Sequence, residues 1–500
     1  MSRSLSDFFR YTEGMWGSGV TSLGTTMLKE KRVTFGIKDA DRLKHVCILG
    51  SNGSGRGDFM TRMAFQDIER SLGVVVLDAK GNVAPAMMER FDAQVTSRLI
   101  YLDPAEAEHP FSWNILNDIR RLPVETQEKR LVRILESVYQ IYGNPFPALL
   151  AKDMLAHADS TLVTFYKLLS ESGFRKNFFK DNTEKLGALE EAFSKYPDEL
   201  ALIEERGRYI GKDTLMRNVL GQVESKFSLL SLAEGAVVVV NLENIRMFPT
   251  RMAPLVRLFT EAARMSSEAS AQASMLYLQD SLRHLGEQEI DTAFSSHSVA
   301  VTVADTVIKE GEHEKRERVL SRCGSIVSFK THRLDRPLIE RAFYPYVEPE
   351  EIEELGEKEF VTTLMVDGVR TRPFFGAAIA LARGRSASYQ DLITANRTRY
   401  TALRRDVDDS FNTDDDEDGT PHRPAGFQDA FRAMFEKRSR AAQGASAPVS
   451  APAPQAEVSS VQKESKPPVS ERVRMAGQSE SPLGIAEDIL KQILYVPTVS

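Results

Sequence analysis

The sequence predicts an α/β protein with a mostly parallel sheet, an all-helical insertion and a disordered C-terminal tail. Short, solidly apolar runs bounded by polar residues recur along the chain, such as VVVL at 74–77 and VVVV at 237–240. Segments with helical spacing of apolar residues separate these runs. Strands that are apolar on both faces and alternate with helices are typical of a parallel sheet covered on both sides.

Nine segments have the composition of buried strands. They are RVTFGI (32–37), HVCILG (45–50), GVVVLDAKGN (73–82), RLIYLDP (98–104), AVVVVNL (236–242), SMLYLQD (274–280), SVAVTVAD (298–305), SIVSFK (325–330) and FVTTLMV (360–366). Segments between 117 and 230 show helical periodicity instead. We therefore expect one α/β domain that a helical subdomain interrupts.

These patterns divide the chain into seven parts. Residues 441–482 are rich in Ala, Pro, Ser and Gln, so they cannot bury enough apolar surface to offset the entropy lost on ordering. The expected parts are an N-terminal segment (1–30), the first part of the α/β domain (31–116), the helical insertion (117–230), the second part (231–385), a helical extension (386–440) with an acidic linker at 406–419 and a helix at 426–438, a disordered linker (441–482) and a docking helix (483–500).

The last segment, LGIAEDILKQILYV at 483–496, places its isoleucines and leucines on one side of a helix. A short apolar helix on a long tether is typical of a docking peptide that binds another protein. Chance periodicity in a tail is the alternative, and the sequence leaves both open.

Composition and charge narrow the function classes. The net charge of −7 over 500 residues argues against a generally basic nucleic-acid coat. The two cysteines indicate a reducing compartment without a disulfide framework. No apolar run reaches the roughly 18–20 residues of a membrane span, and the N-terminal residues lack an export signal. We expect a cytoplasmic protein that reaches a membrane only through a partner.

A glycine-rich loop follows the second predicted strand and precedes a helical pattern. Phosphate-binding loops of this kind read Gly-x-x-x-x-Gly-Lys-Ser/Thr, and their backbone N–H groups surround phosphate oxygens at a helix N-terminus. A glycine-rich turn without a ligand is the alternative. The candidate nucleotide-binding residues are Gly50, Ser51, Asn52, Gly53, Ser54, Gly55, Arg56, Gly57 and Asp58.

The segment FGIKDADRLKHVCILGSNGSGRGDFM resembles the entry to the nucleotide loop of conjugative coupling proteins (TraG/TraD-type) of type IV secretion, in the HerA/FtsK branch of DNA-translocating ATPases. The resemblance continues in order over about residues 30–385. It includes GVVVLDAKGN, RLIYLDPAEAEHPFSWNIL, GAVVVVNLENIR, MLYLQDSLRHLG, SIVSFKTHRLDRPLIERAF and FVTTLMVDGVRTRPFF. It implies a RecA/FtsK-like P-loop domain, ATP held between the subunits of a ring, and DNA drawn through the centre.

The chain departs from the family at each position that carries the chemistry. Arg56 replaces the loop lysine, and Gly57 replaces the hydroxyl residue that holds Mg²⁺. Gln279 and Asp280 stand at the Asp-Glu metal strand, and Thr306 stands at the sensor position after Asp305. Asp58 adds negative charge where phosphates would sit. The scaffold residues are retained: Gly50, Gly53, Gly55, Asp78, Gly81, Asp103, Pro104 and Asn114.

Two functions follow from the resemblance and these departures. The first is a coupling-protein-like accessory subunit without hydrolysis, in a homo- or hetero-oligomeric ring with a secretion-system or membrane-anchored partner. The alternative is an active DNA-translocating ATPase in which Arg56 and Asp280 act as substitutes, Asp280 being the residual catalytic candidate. ATP and DNA binding stay open, and Mg²⁺ binding is not expected because Gln279 is neutral. Arg316, Arg318 and Arg322 fit either a surface helix or a phosphate- or DNA-contacting face.

Overall fold

The structure, a computed structural model, describes residues 19–28, 31–270, 272–305, 313–381, 389–415 and 494–495. The chain divides into two units, Met1–Asp408 with Pro468–Ser500 and Asp409–Pro467. The described strands are β1 (Val20–Leu28), β2 (Lys31–Lys38), β3 (Val46–Leu49), β4 (Gly73–Asp78), β5 (Leu99–Leu102), β6 (Val237–Asn241), β7 (Ser274–Gln279), β8 (Val299–Asp305), β9 (Ser325–Phe329), β10 (Glu359–Thr363), β11 (Met365–Val366), β12 (Val369–Arg370), β13 (Phe374–Ala378) and β14 (Leu494–Tyr495).

One large sheet organises the described residues of the first unit. Its strand order is β14-β2-β1-β13-β10-β9-β3-β8-β7-β4-β6-β5, and the strands from β9 to β5 run parallel. The remaining strands, from β14 to β10, add on in antiparallel fashion. The predicted fold class is therefore confirmed, and all nine predicted strands are present. Because parallel strands point the same way, the loops after β3, β4, β7 and β8 meet at one edge.

Helices cover the sheet and fill the stretch between β5 and β6. The described helices are α1 (Asp39–Arg42), α2 (Arg56–Glu69), α3 (Val83–Met88), α4 (Ala93–Thr96), α5 (Ile115–Ile119), α6 (Val124–Tyr139), α7 (Pro145–Ala156), α8 (Leu162–Ser170), α9 (Ser172–Phe178), α10 (Thr183–Lys195), α11 (Pro197–Gly211), α12 (Thr214–Leu220), α13 (Pro249–Ser270), α14 (Glu287–Ala293), α15 (His313–Arg322), α16 (Arg336–Phe343), α17 (Pro349–Glu353), α18 (Tyr389–Tyr400) and α19 (Arg404–Asp415).

The helical stretch shares an apolar core with one face of the sheet. Trp113 stacks between Phe227 and Phe259, with ring centroids 5.7 and 5.1 Å away. Asn114 begins α5 by accepting a hydrogen bond from the Leu116 N–H, so this retained residue acts as a helix cap. The domain boundaries given above remain predictions.

Strand β1 lies within the segment 1–30, for which the sequence predicts no element. Its middle residue, Gly24, leaves room for the neighbouring strand, since a Cβ there would lie 2.7 Å from the Ala377 carbonyl oxygen and 3.0 Å from the Phe360 ring. Gly376 on β13 makes the same room beside Phe360. Glycine in a strand marks such a close approach but weakens the apolar pattern, so the sequence does not reveal β1.

Two predictions about the C-terminal part are wrong where the structure describes it. The acidic run that starts at 406 was expected to be a linker, but it begins within α19. An Arg404–Asp408 ion pair of 3.2 Å stabilises the first turn of this helix. Residues 494 and 495, expected in a helix, form β14 and pair antiparallel with Phe35 and Thr34 of β2. Edge strands leave backbone groups unpaired, which favours adding a strand there. The rest of 483–500, the linker 441–482 and the expected helix at 426–438 lie outside the described residues.

No described helix has both the length and the apolar character that crossing a membrane requires.

Candidate functional site

The glycine-rich loop joins the end of β3 to the start of α2. Gly53 has φ of +77° and Gly55 has φ of +96°, and both angles lie in the left-handed region that favours glycine. The Ser51 N–H donates to the Lys330 carbonyl oxygen at 2.8 Å, which ties the loop to the end of β9. Helix α2, with 14 residues, starts directly at Arg56. The loop thus has the conformation that the glycine spacing predicts.

Arg56 and Asp280 form an ion pair across the site. Arg56 Nη2 lies 2.9 Å from Asp280 Oδ2, and Nη1 lies 3.4 Å from Oδ1. The Arg56 side chain is 3% exposed and that of Asp280 is 13% exposed. Asp280 has φ of +50°, an unusual angle for a residue other than glycine. The substitutes for the loop lysine and the metal-strand glutamate therefore neutralise each other.

A pair of side-chain amides lies beside this ion pair. A Cβ on Gly57 would come 2.8 Å from Asn82 Nδ2, so the Asn82 side chain occupies the space that a serine or threonine would take. Gln279 Nε2 donates to Asn82 Oδ1 at 3.2 Å and to Asp280 Oδ2 at 3.3 Å. Gln279 Oε1 has no hydrogen-bond partner in the described part of the chain. Both positions that would hold a metal thus face amide groups.

Asp305, at the end of β8, extends the charged network away from the loop. The pKa of Asp305 is raised to about 7, chiefly by burial and also by the charge of Asp280 and a hydrogen bond with it, while the charge of Arg316 opposes the rise. Arg316 Nη2 lies 3.8 Å from Asp305 Oδ2, and Nη1 lies 3.6 Å from Asp335 Oδ1. The loop, the end of β7 and α15 are therefore linked by one network of acidic and basic groups, in which Asp280 and Asp305 lie side by side between Arg56 and Arg316.

Lys80 follows β4 and extends over the top of the loop. Its ammonium donates a hydrogen bond to the side-chain carbonyl of Asn52. Partial burial, followed by the charge of Arg56, lowers the pKa of Lys80, while Asp280 and Asp78 oppose that effect. Lys80 is not among the candidate site residues that the sequence predicts. The signal was available, because this lysine belongs to GVVVLDAKGN, a strand that ends at the same sheet edge as the loop.

The retained aspartates have structural tasks. Asp78 accepts hydrogen bonds from the backbone N–H groups of the turn after β4 and the start of α3, at 2.7–3.2 Å. Burial nevertheless raises its pKa. Asp103 accepts from the Ala105 N–H at 2.9 Å and from Asn244 Nδ2 at 2.9 Å. These groups hold the loops around the site in place.

The remaining residues that the sequence predicts for the site are Asp58, the three arginines of α15 and Thr306. Asp58 is exposed in the first turn of α2, where a negative charge stabilises the helix. Arg318 and Arg322 pair with Asp291 at 3.0 and 2.8 Å. Arg316 is buried, so the surface-helix interpretation is wrong for that residue. Thr306, the sensor position, lies outside the described residues.

The residues present do not fit a magnesium ion. Mg²⁺ favours carboxylate, hydroxyl and water oxygens in an octahedral arrangement. Here Gly57 has no side chain, Gln279 is neutral and Asp280 is engaged by Arg56. Within the described ranges, no group of three or more His, Cys, Asp or Glu side chains could hold a metal.

No protein-family model matches the chain, and no curated protein matches it either. Solved structures of a plasmid coupling protein, TrwB, match at the level of the fold. The complex with the GTP analogue GDPNP has a TM-score of 0.53 and 13% identity, and the match covers 76% of this chain and 94% of that chain. The complex with ADP and Mg²⁺ has a TM-score of 0.53 and 13% identity, with 75% and 98% covered.

A third match is TrwBdeltaN70, a bacterial conjugative coupling protein in a trigonal form with sulphate. It has a TM-score of 0.52 and 13% identity, and it covers 70% of this chain and 89% of that chain. These matches agree with the resemblance that the ordered motifs of residues 30–385 predict. The chain therefore has the P-loop fold of a bacterial conjugative coupling protein.

Proposed function

We propose that this chain is a coupling-protein-like subunit of a type IV secretion or conjugation system that does not hydrolyse ATP. The observation that carries the proposal is the ion pair between Arg56 and Asp280. In a hydrolytic P-loop site the loop cation contacts the terminal phosphates, and an acidic residue orients the attacking water. Here the corresponding groups satisfy each other, so neither is available for those tasks.

The neighbouring groups support the same conclusion. Gly57 offers no hydroxyl for a metal, and Gln279 is held by Asn82 and Asp280. Removing one charge-stabilising group typically costs about 10²–10³-fold in rate, and losses of groups that act together do not simply add. A site without these metal ligands, in which Asp280 is paired with Arg56, should not support steady ATP turnover.

An active translocase with substitute residues would require the pair to open in each cycle. Arg56 would have to leave a nearly buried, two-point contact, and Asp280 would have to become the base or metal ligand. Breaking a buried ion pair costs about 3–5 kcal/mol when one partner stays uncompensated. A neighbouring subunit could supply a replacement partner, so the assay must include the assembled protein.

The fold also supports a role in an assembly. We infer an oligomeric ring of this chain, alone or with an active relative, attached to a secretion-system or membrane-anchored partner. Solved complexes of TrwB contain ADP with Mg²⁺ and a GTP analogue, which supports a nucleotide as the ligand of the corresponding loop. DNA contact belongs to the same proposal, with the chain acting through shape and docking.

The deciding experiment is an ATPase assay on the purified full chain, with and without DNA. We expect no turnover above that of the Arg56→Ala variant, which serves as the background control. Turnover of about 1 per second or faster that depends on DNA and is lost in Arg56→Ala would contradict the proposal. Capture of a tagged chain, identification of its partners and an assay of that complex would test whether another subunit completes the site.

A further inference from the structure

We propose that the loop binds the phosphate chain of a nucleotide without magnesium, and that Lys80 supplies the cation that contacts it. The inference rests on the proposed function only in treating the site as non-hydrolytic. It assigns the phosphate contact to Lys80, which lies outside the glycine-rich loop. It follows from the observation that the residues of the site do not fit a magnesium ion.

The first step is that Arg56 is not available to a ligand. Its guanidinium makes two contacts with Asp280, and its side chain is only 3% exposed. Arg56 therefore has a structural role in the site rather than a ligand-binding one. A phosphate that recruited Arg56 would draw the guanidinium away from Asp280 and place two anionic groups close together. The closed pair, by contrast, presents no net charge to an incoming anion.

The second step is that Lys80 reaches the loop, where it contacts Asn52 and lies within electrostatic range of Arg56 and Asp280. Its ammonium donates to the side-chain carbonyl oxygen of Asn52, a neutral acceptor in the loop. Partial burial disfavours its charge and so lowers its pKa, while Asp280 and Asp78 favour the charge and Arg56 and Arg246 oppose it. An anionic ligand would add to the favourable side. An ammonium paired with a phosphate oxygen forms a charge-assisted hydrogen bond, roughly twice as strong as a neutral one.

The third step is that the loop interior contains an unused polar atom. The Ser54 side chain is 6% exposed, and its hydroxyl lies 2.7 Å from the place of a Cβ on Gly50, inside the loop. That hydroxyl has no hydrogen-bond partner in the described part of the chain. A buried hydroxyl without a partner costs free energy, so it indicates a ligand that accepts its hydrogen. The open space at Gly53 is consistent with this, because nothing lies within 4 Å of a Cβ there.

The fourth step is that amide groups stand where a metal would be. Asn82 fills the space beside Gly57, with its Nδ2 turned toward that glycine, and Gln279 holds Asn82 by its carbonyl oxygen. An amide N–H is a hydrogen-bond donor to a phosphate oxygen and repels a cation. Mg²⁺ should therefore not improve binding, and it should weaken binding where it competes with Lys80 for the phosphate.

The test is calorimetric titration of the full chain with ADP, ATP and inorganic pyrophosphate, each in EDTA and in excess MgCl₂. We expect ADP or ATP to bind in EDTA with an affinity at least equal to that in MgCl₂. Lys80→Met should weaken binding about tenfold or more, and Lys80→Arg should retain most of the affinity. Lys38→Met, which removes a lysine bonded to Asp367 at 2.7 Å, is the matched control and should change nothing.

The outcomes separate cleanly. Binding that requires MgCl₂, an unchanged affinity in Lys80→Met, or no binding of any of the three ligands would overturn the inference. Equal binding of pyrophosphate and ADP would support it and show that the phosphates alone are recognised. Because the comparison of EDTA with MgCl₂ uses the unsubstituted chain, the test stands even if a variant fails to fold. None of these outcomes depends on ATP turnover, which tests the proposed function separately.

Discussion

Replacing Asp280 with asparagine should destabilise the protein, by an amount that depends on pH. The substitution removes the anion that faces Arg56, whose side chain is only 3% exposed. Leaving one partner of a buried ion pair uncompensated costs about 3–5 kcal/mol. We expect a loss of this size at pH 5.5, measured as the free energy of unfolding in urea.

The pH dependence comes from Asp305, whose pKa is raised to about 7 by burial, against the charge of Arg316, and by its contact with Asp280. Because the folded-state pKa lies above the ordinary value, the native protein retains this proton while the unfolded chain has lost it. The contribution of Asp305 to stability therefore falls as pH rises toward 7 and is constant above that. In Asp280→Asn the neighbouring charge is gone, so Asp305 can ionise earlier and face Arg56 instead.

The cost of Asp280→Asn should thus be smaller at pH 8 than at pH 5.5, by about 1.4 kcal/mol for each unit that the pKa of Asp305 falls. The control is the same substitution in an Asp305→Asn background, where Asp305 can no longer titrate: the difference between Asp280→Asn/Asp305→Asn and Asp305→Asn alone should be equal at both pH values. A loss below about 1 kcal/mol at pH 5.5 would contradict the buried pair. A loss that is equal at both pH values would contradict the role given to Asp305.

Two further substitutions test other parts of the structure. Asp67→Asn should lower the free energy of unfolding in urea by about 3–5 kcal/mol, because it leaves the charge of the fully buried Arg42 without the carboxylate that lies 2.6 Å away. Adding Arg42→Met should recover part of that loss. If it recovers nothing, the pair does not have the proposed role. Gly57→Ala gains about 0.5–1 kcal/mol of helix stability but displaces Asn82 from Gln279 at a cost of about 1 kcal/mol. The melting temperature should therefore change little on Gly57→Ala alone and should rise on Gly57→Ala in an Asn82→Ala background. Equal changes in both backgrounds would show that Asn82 does not fill this space.

The sequence was sufficient for the central strands and the loop. Valine runs that are apolar on both faces have few other stable arrangements, so the sequence located β4 and β6, although β4 ends four residues before the predicted segment does. The glycine spacing likewise predicted a phosphate-type loop between strand and helix, and Gly53 and Gly55 adopt left-handed angles in it. These features are determined within a few residues of chain, which is why a pattern reveals them.

The contacts between the site residues could not be predicted from the sequence. Arg56 and Asp280 are 224 residues apart, and no local pattern says that they meet. The volume vacated at Gly57 is filled by Asn82 from another loop. Lys80 was overlooked because the lysine of a phosphate loop is sought within the loop itself. The departures were visible from the sequence, but the contacts that replace the lost ones depend on the packing of separate strands.

Helix α18 lies beside the outermost parallel strand, where Asn396 Oδ1 accepts the Tyr101 N–H at 2.8 Å. A protein shortened at residue 385, the end of the domain that the sequence suggests, would lose this covering and expose a bare strand of apolar composition. Bare strands of that kind recruit one another into insoluble material. Anyone preparing the P-loop domain by itself should therefore retain the residues through at least 403, since the chain beyond the last central strand shields the sheet from self-association.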